Sequence, residues 1–343
     1  MTGIKHILVI RFSAMGDVAM TVPVIKALAI QNPDLKITYA SRPEFAEFFK
    51  GIPNLTYFAA NLNNDYKGFQ GIFRLFKTLK KLKKFDSLAD LHDILRTKIL
   101  RKLFGLSGLT YAFIDKGRAD KKRLTQYPGK LLQPLKPTVE RYADVFRKLG
   151  FRISLDYQLV KKPVPLTNQI LEISGTKFTP WIGIAPFAKH KGKIYPLEKT
   201  EEVIKILSQK NVKIFLFGGS ALEDEICRKW QQTYTAVVST VRRLTMEQEL
   251  LLISHLDVMM SMDSAGMHLA SLEGVPVVSV WGATHYFAGF LGYGQSTDNI
   301  VADDLACRPC SVYGDKPCFR KDYACLNHID PQTIADSISQ FIN

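Results

Sequence analysis

The sequence lacks any apolar run that approaches the roughly 20 residues needed by a membrane-spanning helix. Its first residues, Met1–Lys5, lead straight into an apolar strand without the hydrophobic segment of a cleavable signal. We therefore expect the protein to stay in the cytosol. The G-x-G-x-x-G fingerprint of dinucleotide-binding folds is also missing, which argues against a nicotinamide site. Aromatic residues are not interleaved with the basic runs, which argues against base stacking on nucleic acid.

Acidic residues are scarce relative to basic ones. The 343 residues hold 32 Asp and Glu against 46 Lys and Arg, a net charge of +14. The excess is uneven, because residues 67–102 hold eleven Lys and Arg with three Asp, and a second basic cluster occupies residues 116–123. A basic face fits nucleic acid, anionic lipid or a phosphorylated substrate, although a single lysine is usually just solvated. An amphipathic helix is expected over Phe69–Lys84, with four side chains on its apolar side: Phe73, Phe76, Leu79 and Leu82.

Cysteine is sparse too, with five residues in all. Cys307 and Cys310 have the spacing of zinc ligands, whereas the intervals to Cys318 and Cys325 are irregular. In a cytosolic chain such a group is more often a metal site or a set of reduced thiols than a set of disulfides. The sequence leaves open whether these four cysteines bind zinc, stay free or form disulfides, and we predict no metal site.

Strand-like and helix-like segments alternate along the whole chain, which predicts an α/β protein. The first strand is expected over Ile4–Phe12 and the first helix over Val18–Leu28. The stretch 161–165, rich in lysine and proline, is typical of a linker. At this length two domains are expected, and tandem domains of this kind form a cleft between them. We predict domains over residues 1–162 and 163–330, followed by a final helix over 331–343.

The stretch Leu256–Gly282 has the pattern of a strand, a polar turn, a helix and a second strand. Its turn, Asp263–His268, follows the carboxyl end of the first strand, where open α/β sheets bind ligands. Ser264 is a candidate helix N-cap, and the two small residues after it keep the first helical amides approachable to an anion. His268 lies about one turn into the helix. We interpret the turn as a diphosphate cradle, and an ordinary capped helix with a buried histidine is the alternative.

A second short loop, Ser13–Asp17, connects the first strand to the first helix. Asp17 stands at the N-terminus of that helix. A carboxylate in this position ordinarily caps the helix, and a catalytic role for Asp17 is the alternative.

Several stretches together resemble glycosyltransferase family 9, the ADP-heptose:lipopolysaccharide heptosyltransferases. These stretches are Ile7–Val18, Val139–Tyr142, Lys193–Pro196, Asp263–Ala270 and Gly282–Thr284. The resemblance spans most of the chain. It implies an α/β GT-B fold, in which two Rossmann-like domains have parallel sheets facing a central cleft. The first domain is then expected to bind the acceptor and the second the nucleotide sugar.

The resemblance further implies inverting sugar transfer that needs no metal and no cofactor. Asp17 matches the general base for the acceptor hydroxyl, and Lys193 matches the lysine that stabilises the departing diphosphate. The residues expected to bind the nucleotide sugar are Lys193, Glu223, Leu244, Asp263, Ser264, Ala265, Gly266 and His268. The residues expected to bind the acceptor are Ser13, Gly16, Arg96, Arg118, Arg123 and Arg141.

These features predict an enzyme that moves heptose from ADP-heptose onto a lipopolysaccharide core or a similar phosphorylated glycolipid. Its expected partners are that donor, that acceptor and an anionic membrane surface, but not nucleic acid. Its expected place is peripheral, on the cytoplasmic face of the inner membrane, where nearby cations meet anionic lipid. Two alternatives remain open. One is a sugar-nucleotide epimerase of similar fold, which needs no basic first domain. The other is a non-enzymatic protein that binds anionic lipid through its basic helices.

Overall fold

The computed structural model describes residues 3, 5–161 and 164–342, and the chain divides into two compact units. The first unit comprises the chain up to Lys116 together with Lys136–Asp156, and the second comprises Gly117–Leu135 together with the chain from Tyr157 onward. Lys162 and Pro163, at the centre of the predicted linker and at the predicted domain boundary, lie outside the described residues.

Residues 117–135 differ most from the predicted division, which placed them in the first domain. In the structure they pack within the second unit, where the Leu135 amide donates to the Phe287 carbonyl at 2.9 Å. The Lys121 ammonium also lies over the Phe290 ring, 4.0 Å from its centroid. These partners are far away in the sequence, so no local pattern indicates them.

Each unit contains one fully parallel sheet. The strands are β1 His6–Ile10, β2 Lys36–Ser41, β3 Leu55–Ala59, β4 Ser87–Asp90, β5 Thr110–Phe113, β6 Trp181–Ala185, β7 Lys213–Leu216, β8 Val237–Ser239, β9 Val258–Met262, β10 Val277–Trp281 and β11 Ile300–Ala302. The first sheet has the order β3-β2-β1-β4-β5, and the second has the order β11-β10-β9-β6-β7-β8. Central strands are buried on both faces, which explains their continuous apolar sequences.

Helices connect these strands and cover the sheets. They are α1 Met15–Ala19, α2 Val22–Gln31, α3 Gly68–Leu82, α4 Leu95–Leu106, α5 Arg118–Leu124, α6 Thr138–Lys148, α7 Asn168–Ser174, α8 Leu197–Ser208, α9 Ala221–Thr233, α10 Met246–Ile253, α11 Ala265–Leu272, α12 Ala324–Asn327 and α13 Pro331–Ser339. The last of them, α13, packs on α8 within the second unit and buries Ile334 and Ile338 there. None of the described helices is long and apolar enough to cross a bilayer.

The helix predicted over Val18–Leu28 is wrong in one respect, because the chain forms two helices, α1 and α2, across this region. Pro23 is the reason. Proline has no N–H to donate within a continuous helix, and it is tolerated in the first turn, where the N–H groups are unpaired anyway. The chain therefore ends α1 at Ala19 and begins α2 at Val22.

The predicted apolar side of α3 is also partly wrong. The helix buries Ile72, Leu75 and Leu79 against the first sheet, whereas Phe73 and Leu82 are exposed. Two apolar stripes overlap in this helix, and the aliphatic stripe occupies the core. Phe76 still packs on Phe104 at the edge of the core, but Phe69 and Phe73 are left among lysines in solvent. The expectation that aromatic residues are not interleaved with the basic runs is therefore wrong for this helix.

Both sheets contain a topological switch point, at which the direction of strand succession reverses. It lies between β1 and β4 in the first unit and between β6 and β9 in the second. Ligands of open α/β sheets bind beside the carboxyl ends of the strands at this point. The segments there are residues 11–17 and 91–94 in the first unit, and residues 186–193 and 263–268 in the second. Two of these segments include the first turn of the following helix, α1 or α11. The switch points therefore contain Asp17, Lys193 and the predicted diphosphate turn.

Candidate functional site

Lys193 and Asp263 meet at the switch point of the second unit. Lys193 ends a short 3-10 turn after β6, and Asp263 directly follows β9. The Lys193 Nζ lies 2.9 Å from the Asp263 Oδ2, and their side chains are only 17% and 5% exposed. The structure thus brings together two predicted donor-site residues that are distant in the sequence. The pairing orients the ammonium group at the carboxyl edge of the sheet.

The N-terminus of α11 begins beside this pair. Ser264 occupies the N-cap position, as predicted, but its hydroxyl contacts the Ser261 hydroxyl at 3.4 Å and makes no capping bond. Within the described part of the chain no side chain caps α11. The first-turn amides, which have no intrahelical acceptors, therefore retain their capacity for an anion. His268, itself buried, lies in the same first turn.

Gly266 allows α11 to approach the second sheet closely. A Cβ at this position would lie 2.6 Å from the Cβ of Ala185, which is the last residue of β6. Real carbon atoms do not approach so closely, so any larger residue would push the helix N-terminus away from β6.

Glu223 lies in the first turn of α9, after β7, and Leu244 lies in the turn after β8, at the same carboxyl edge of the parallel sheet. The Glu223 Oε2 accepts the amides of Gly219 and Ser220 at 2.7 and 2.9 Å, so this carboxylate caps α9. Leu244 is half-buried directly before Thr245, the N-cap of α10. Their contacts with a nucleoside stay predictions.

Asp17 is held firmly at the switch point of the first unit. The Arg11 Nη2 lies 2.8 Å from the Asp17 Oδ2, and the Ala14 amide donates to the same oxygen at 3.2 Å. The Tyr142 hydroxyl donates to the Asp17 carbonyl at 3.4 Å. The Asp17 side chain is 31% exposed while that of Arg11 is 7% exposed. The carboxylate is therefore oriented by the buried Arg11 guanidinium and the Ala14 amide, and it is still accessible from solvent.

His92, from the loop after β4, supports the Asp17 loop. The Phe12 amide donates to the His92 Nδ1 at 3.3 Å, and the Ser13 Oγ lies 3.4 Å from the Nε2. Burial, reinforced by the nearby Arg11 and Lys116, lowers the pKa of His92 to about 3. The imidazole is therefore neutral near pH 7. Because Nδ1 accepts a bond, the ring proton belongs on Nε2, which can then donate to Ser13.

Neither Arg11 nor His92 is predicted from the sequence as a support of the Asp17 loop. One feature of the sequence distinguishes each of these two residues. Arg11 is a charged residue at the end of an otherwise apolar strand, and His92 directly follows the last residues of another buried strand. In a parallel sheet these positions share one edge, so both signals point to the switch point.

The predicted acceptor residues are divided between the two units. Ser13 and Gly16 belong to the Asp17 loop of the first unit. Arg118 and Arg123 lie in α5 of the second unit, where Arg123 pairs with the exposed Asp120 at 2.6 Å. The prediction had placed all of these residues in the first domain.

The other two acceptor candidates, Arg96 and Arg141, both donate to backbone carbonyls of the first unit. Arg96 donates to the Tyr66 carbonyl at 2.6 Å. Arg141 is buried, and it donates to the carbonyls of Lys136 and Asp115 at 3.1 and 3.3 Å. The guanidinium of Arg141 thus fixes the backbone just before and just after residues 117–135, the segment that belongs to the second unit. These contacts give Arg141 a structural role.

The four clustered cysteines are free thiols, and no group of three or more His, Cys, Asp or Glu among the described residues is arranged to hold a metal ion. Burial, opposed by the nearby Arg308 and reinforced by the other clustered thiols, raises the pKa of the Cys325 thiol to about 12. Burial, with the thiols of Cys307 and Cys318, also raises the pKa of Cys310. The buried Cys325 thiol and the half-buried Cys310 thiol are therefore protonated at neutral pH.

Each compact unit contains a parallel sheet of the doubly wound type with polar loops at its switch point, which is the architecture expected of a GT-B fold. The heptosyltransferase model of glycosyltransferase family 9 matches residues 72–318, so the chain belongs to this family. The family and the α/β GT-B fold predicted from the sequence are therefore confirmed, and the protein is an enzyme of the glycosyltransferase class.

Individual relatives show the same likeness. The chain is 23% identical over 313 residues to the lipopolysaccharide core heptosyltransferase OpsX of Haemophilus influenzae, covering 87% of this chain and 84% of that protein. Among solved structures, it is similar to the family 9 glycosyltransferase of Veillonella parvula, with a TM-score of 0.76, 16% identity and 98% and 97% of the chains covered. It is also similar to the ADP-heptose lipopolysaccharide heptosyltransferase II of E. coli, with a TM-score of 0.69, 16% identity and 98% of each chain covered.

Proposed function

We propose that this protein transfers heptose from ADP-heptose onto a lipopolysaccharide core or a similar phosphorylated glycolipid, with inversion at the anomeric carbon and without a metal ion. The observation that carries the proposal is the Lys193–Asp263 pair beside the uncapped N-terminus of α11. The choice of donor is supported by the family, which is described as heptosyltransferases, and by the similar E. coli enzyme, which is an ADP-heptose lipopolysaccharide heptosyltransferase.

On the donor side, the second unit supplies positive charge to the leaving group. When the bond between the anomeric carbon and the diphosphate breaks, the diphosphate keeps the electron pair and gains negative charge. Lys193 and the amides of the first turn of α11 are groups that stabilise such charge. His268, in the same turn, adds a further donor. Asp263 keeps the ammonium of Lys193 in place before the donor arrives.

On the acceptor side, Asp17 acts as the general base. It takes the proton of the acceptor hydroxyl while that oxygen forms a bond to the anomeric carbon, so one displacement transfers the sugar with inversion. Arg11 and the Ala14 amide hold its carboxylate in one orientation. Ser13 and Gly16, in the same loop, are positioned to contact the acceptor.

Thermal unfolding tests the donor assignment, because a ligand that binds only the native state raises the melting temperature. All three tryptophans, Trp181, Trp230 and Trp281, lie in the second unit, so their fluorescence reports on the proposed donor unit. ADP-heptose at a hundred times its Kd adds about 2.7 kcal/mol, which raises the melting temperature by about 5–10 °C for a unit of this size. UDP- and GDP-sugars serve as controls.

Mass spectrometry of the reaction products completes this test. A core glycolipid heavier by one heptose supports the proposal. A rearranged nucleotide sugar without transfer would instead identify an epimerase, and stabilisation by UDP- or GDP-sugars alone would overturn the choice of nucleotide.

We further propose that the acceptor is met at an anionic membrane surface, on the cytoplasmic face of the inner membrane. The exposed side of α3, here called the aromatic–basic face, is the feature that supports this. Phe69 and Phe73 are 65% and 38% exposed and contact each other edge to face at 5.2 Å between ring centroids. The exposed cations of the same helix are Arg74, Lys77, Lys80 and Lys81. Exposed aromatic rings among lysines are typical of helices that lie in a membrane interface.

Vesicle binding tests the aromatic–basic face. We expect the double variant Phe69→Ser with Phe73→Ser to bind vesicles containing phosphatidylglycerol about tenfold more weakly, because two aromatic rings no longer enter the interface. A matched control removes two exposed apolar side chains of the second unit, Phe178 and Leu222, by the same substitution. Binding of the native protein should also weaken at high salt. Equal binding by both double variants, or binding that does not respond to salt, would contradict the proposal that the aromatic–basic face binds the membrane.

A further inference from the structure

The turn Gly282–Thr284, which follows β10, is held by a segment that lies between two of the clustered cysteines. Arg308 is 6% exposed, and its Nε donates to the Gly282 carbonyl at 2.6 Å while its Nη2 donates to the Thr284 carbonyl at 3.2 Å. The amides of Cys310 and Ser311 donate to the Ala283 carbonyl at 3.0 and 3.2 Å. All three carbonyls of the turn therefore accept hydrogen bonds from residues 308–311.

The turn Gly282–Thr284 also holds the backbone next to Lys193. The Ala283 amide donates to the Gly192 carbonyl at 2.8 Å. A Cβ at Gly192 would lie 2.9 Å from the Cβ of Ala283 and 3.0 Å from the Gly314 carbonyl oxygen. Gly314, at φ +73°, packs directly on Lys193, since a Cβ there would lie 2.8 Å from the Lys193 Cδ. Contacts thus run without a gap from Arg308 to the lysine side chain.

Burying the charged Arg308 side chain would destabilise the fold if its hydrogen bonds were missing. Burial lowers the pKa of this guanidinium, although the nearby Cys325 and Asp303 partly offset the effect. A buried charge is tolerated only when its donors are satisfied, and those of Arg308 are used on the carbonyls of Gly282, Thr284 and Asp303. The Lys130 ammonium also donates to the Arg308 carbonyl at 2.8 Å. The side chain therefore serves to fix the backbone.

We propose that Arg308 is a positioning residue for the donor site: it holds the turn Gly282–Thr284 and, through Gly192, keeps Lys193 where it meets the donor diphosphate. The assignment rests on the proposed function of Lys193. It gives part of the cysteine-bearing segment a role in sugar transfer that involves neither a metal nor a disulfide.

A double-mutant cycle tests this link. Arg308→Met should weaken the binding of ADP, measured by calorimetry, about tenfold, because Lys193 is no longer held in place. If Arg308 acts through Lys193, Arg308→Met should add almost nothing to the loss caused by Lys193→Ala, since residues in one network are not additive. The matched control is Arg320→Met, which removes an exposed arginine of the same segment paired with Asp322. Additive losses would overturn the proposal.

Gly314→Ala keeps the inference testable if Arg308→Met does not fold. The added methyl group displaces the Lys193 side chain and also strains the backbone at φ +73°, and a loss of ADP affinity is again expected. Unchanged affinity in this variant would contradict the proposal. Hydrogen exchange separates this inference from the proposed function, because it needs no nucleotide. Arg308→Met should accelerate exchange at residues 190–194 as well as 282–284. Acceleration confined to 282–284 would overturn the link to Lys193, even if the protein bound no ADP-sugar.

Discussion

Replacing Asp17 by Asn is expected to lower the turnover number by about 10³-fold, within the range measured for loss of a general base. Asparagine has the same shape and can still accept the Ala14 amide, but it cannot take a proton from the acceptor hydroxyl. The affinity for ADP should stay nearly unchanged, because the proposed donor residues belong to the other compact unit. Steady-state kinetics with ADP-heptose and calorimetry with ADP measure the two quantities.

The buried Arg11 provides the control for this variant. Removing one partner of a largely buried ion pair leaves the other charge uncompensated, which destabilises a protein on its own account. Combining Asp17→Asn with Arg11→Met removes both charges. If Asp17 is the base, the double variant stays inactive even though its melting temperature recovers. Recovery of activity in the double variant would show that Asp17 is only a structural partner of Arg11.

The sequence predicts those parts of the site that local patterns encode. The turn Asp263–His268 is recognisable because strand, polar turn and helix follow each other within one short stretch, and the structure has β9, the turn and α11 in this order. Asp17 is recognisable for the same reason after β1. The pairing of Lys193 with Asp263 follows from the switch point, which depends on the order of strands in the sheet. It is a property of topology, which local sequence does not determine.

Other features depend on contacts between distant segments. The basic helix α5 was expected in the first domain and packs in the second unit, because its partners come from the far end of the chain, such as Phe290 for Lys121. In α3, Ile72 and Leu75 are buried in the core while Phe69 and Phe73 are exposed. Hydrophobic periodicity alone does not determine which of the two sets faces the core. No local pattern indicates a role for Arg308. It lies between Cys307 and Cys310, whose spacing is instead typical of zinc ligands.

Replacing Lys193 by Ala has the second large expected effect, a loss of ADP affinity of about a hundredfold. Charge-assisted hydrogen bonds contribute about 1.5–3 kcal/mol each, and the substitution also leaves the buried Asp263 carboxylate beside the incoming diphosphate without its partner. Turnover should fall as well, since the charge on the leaving diphosphate grows as its bond to the sugar breaks. Calorimetry with ADP and single-turnover kinetics separate the two effects.

Two further variants distinguish attraction by Lys193 from repulsion by Asp263. Lys191→Ala removes a cation of the same short turn, one that lies over the Tyr323 ring at 5.0 Å, and should leave ADP affinity nearly unchanged. Combining Lys193→Ala with Asp263→Asn removes the negative charge as well, so affinity should recover in part while turnover stays low, because no cation then stabilises the leaving group. Equal losses for Lys191→Ala and Lys193→Ala would mean that general positive charge, and not the cation held by Asp263, attracts the donor.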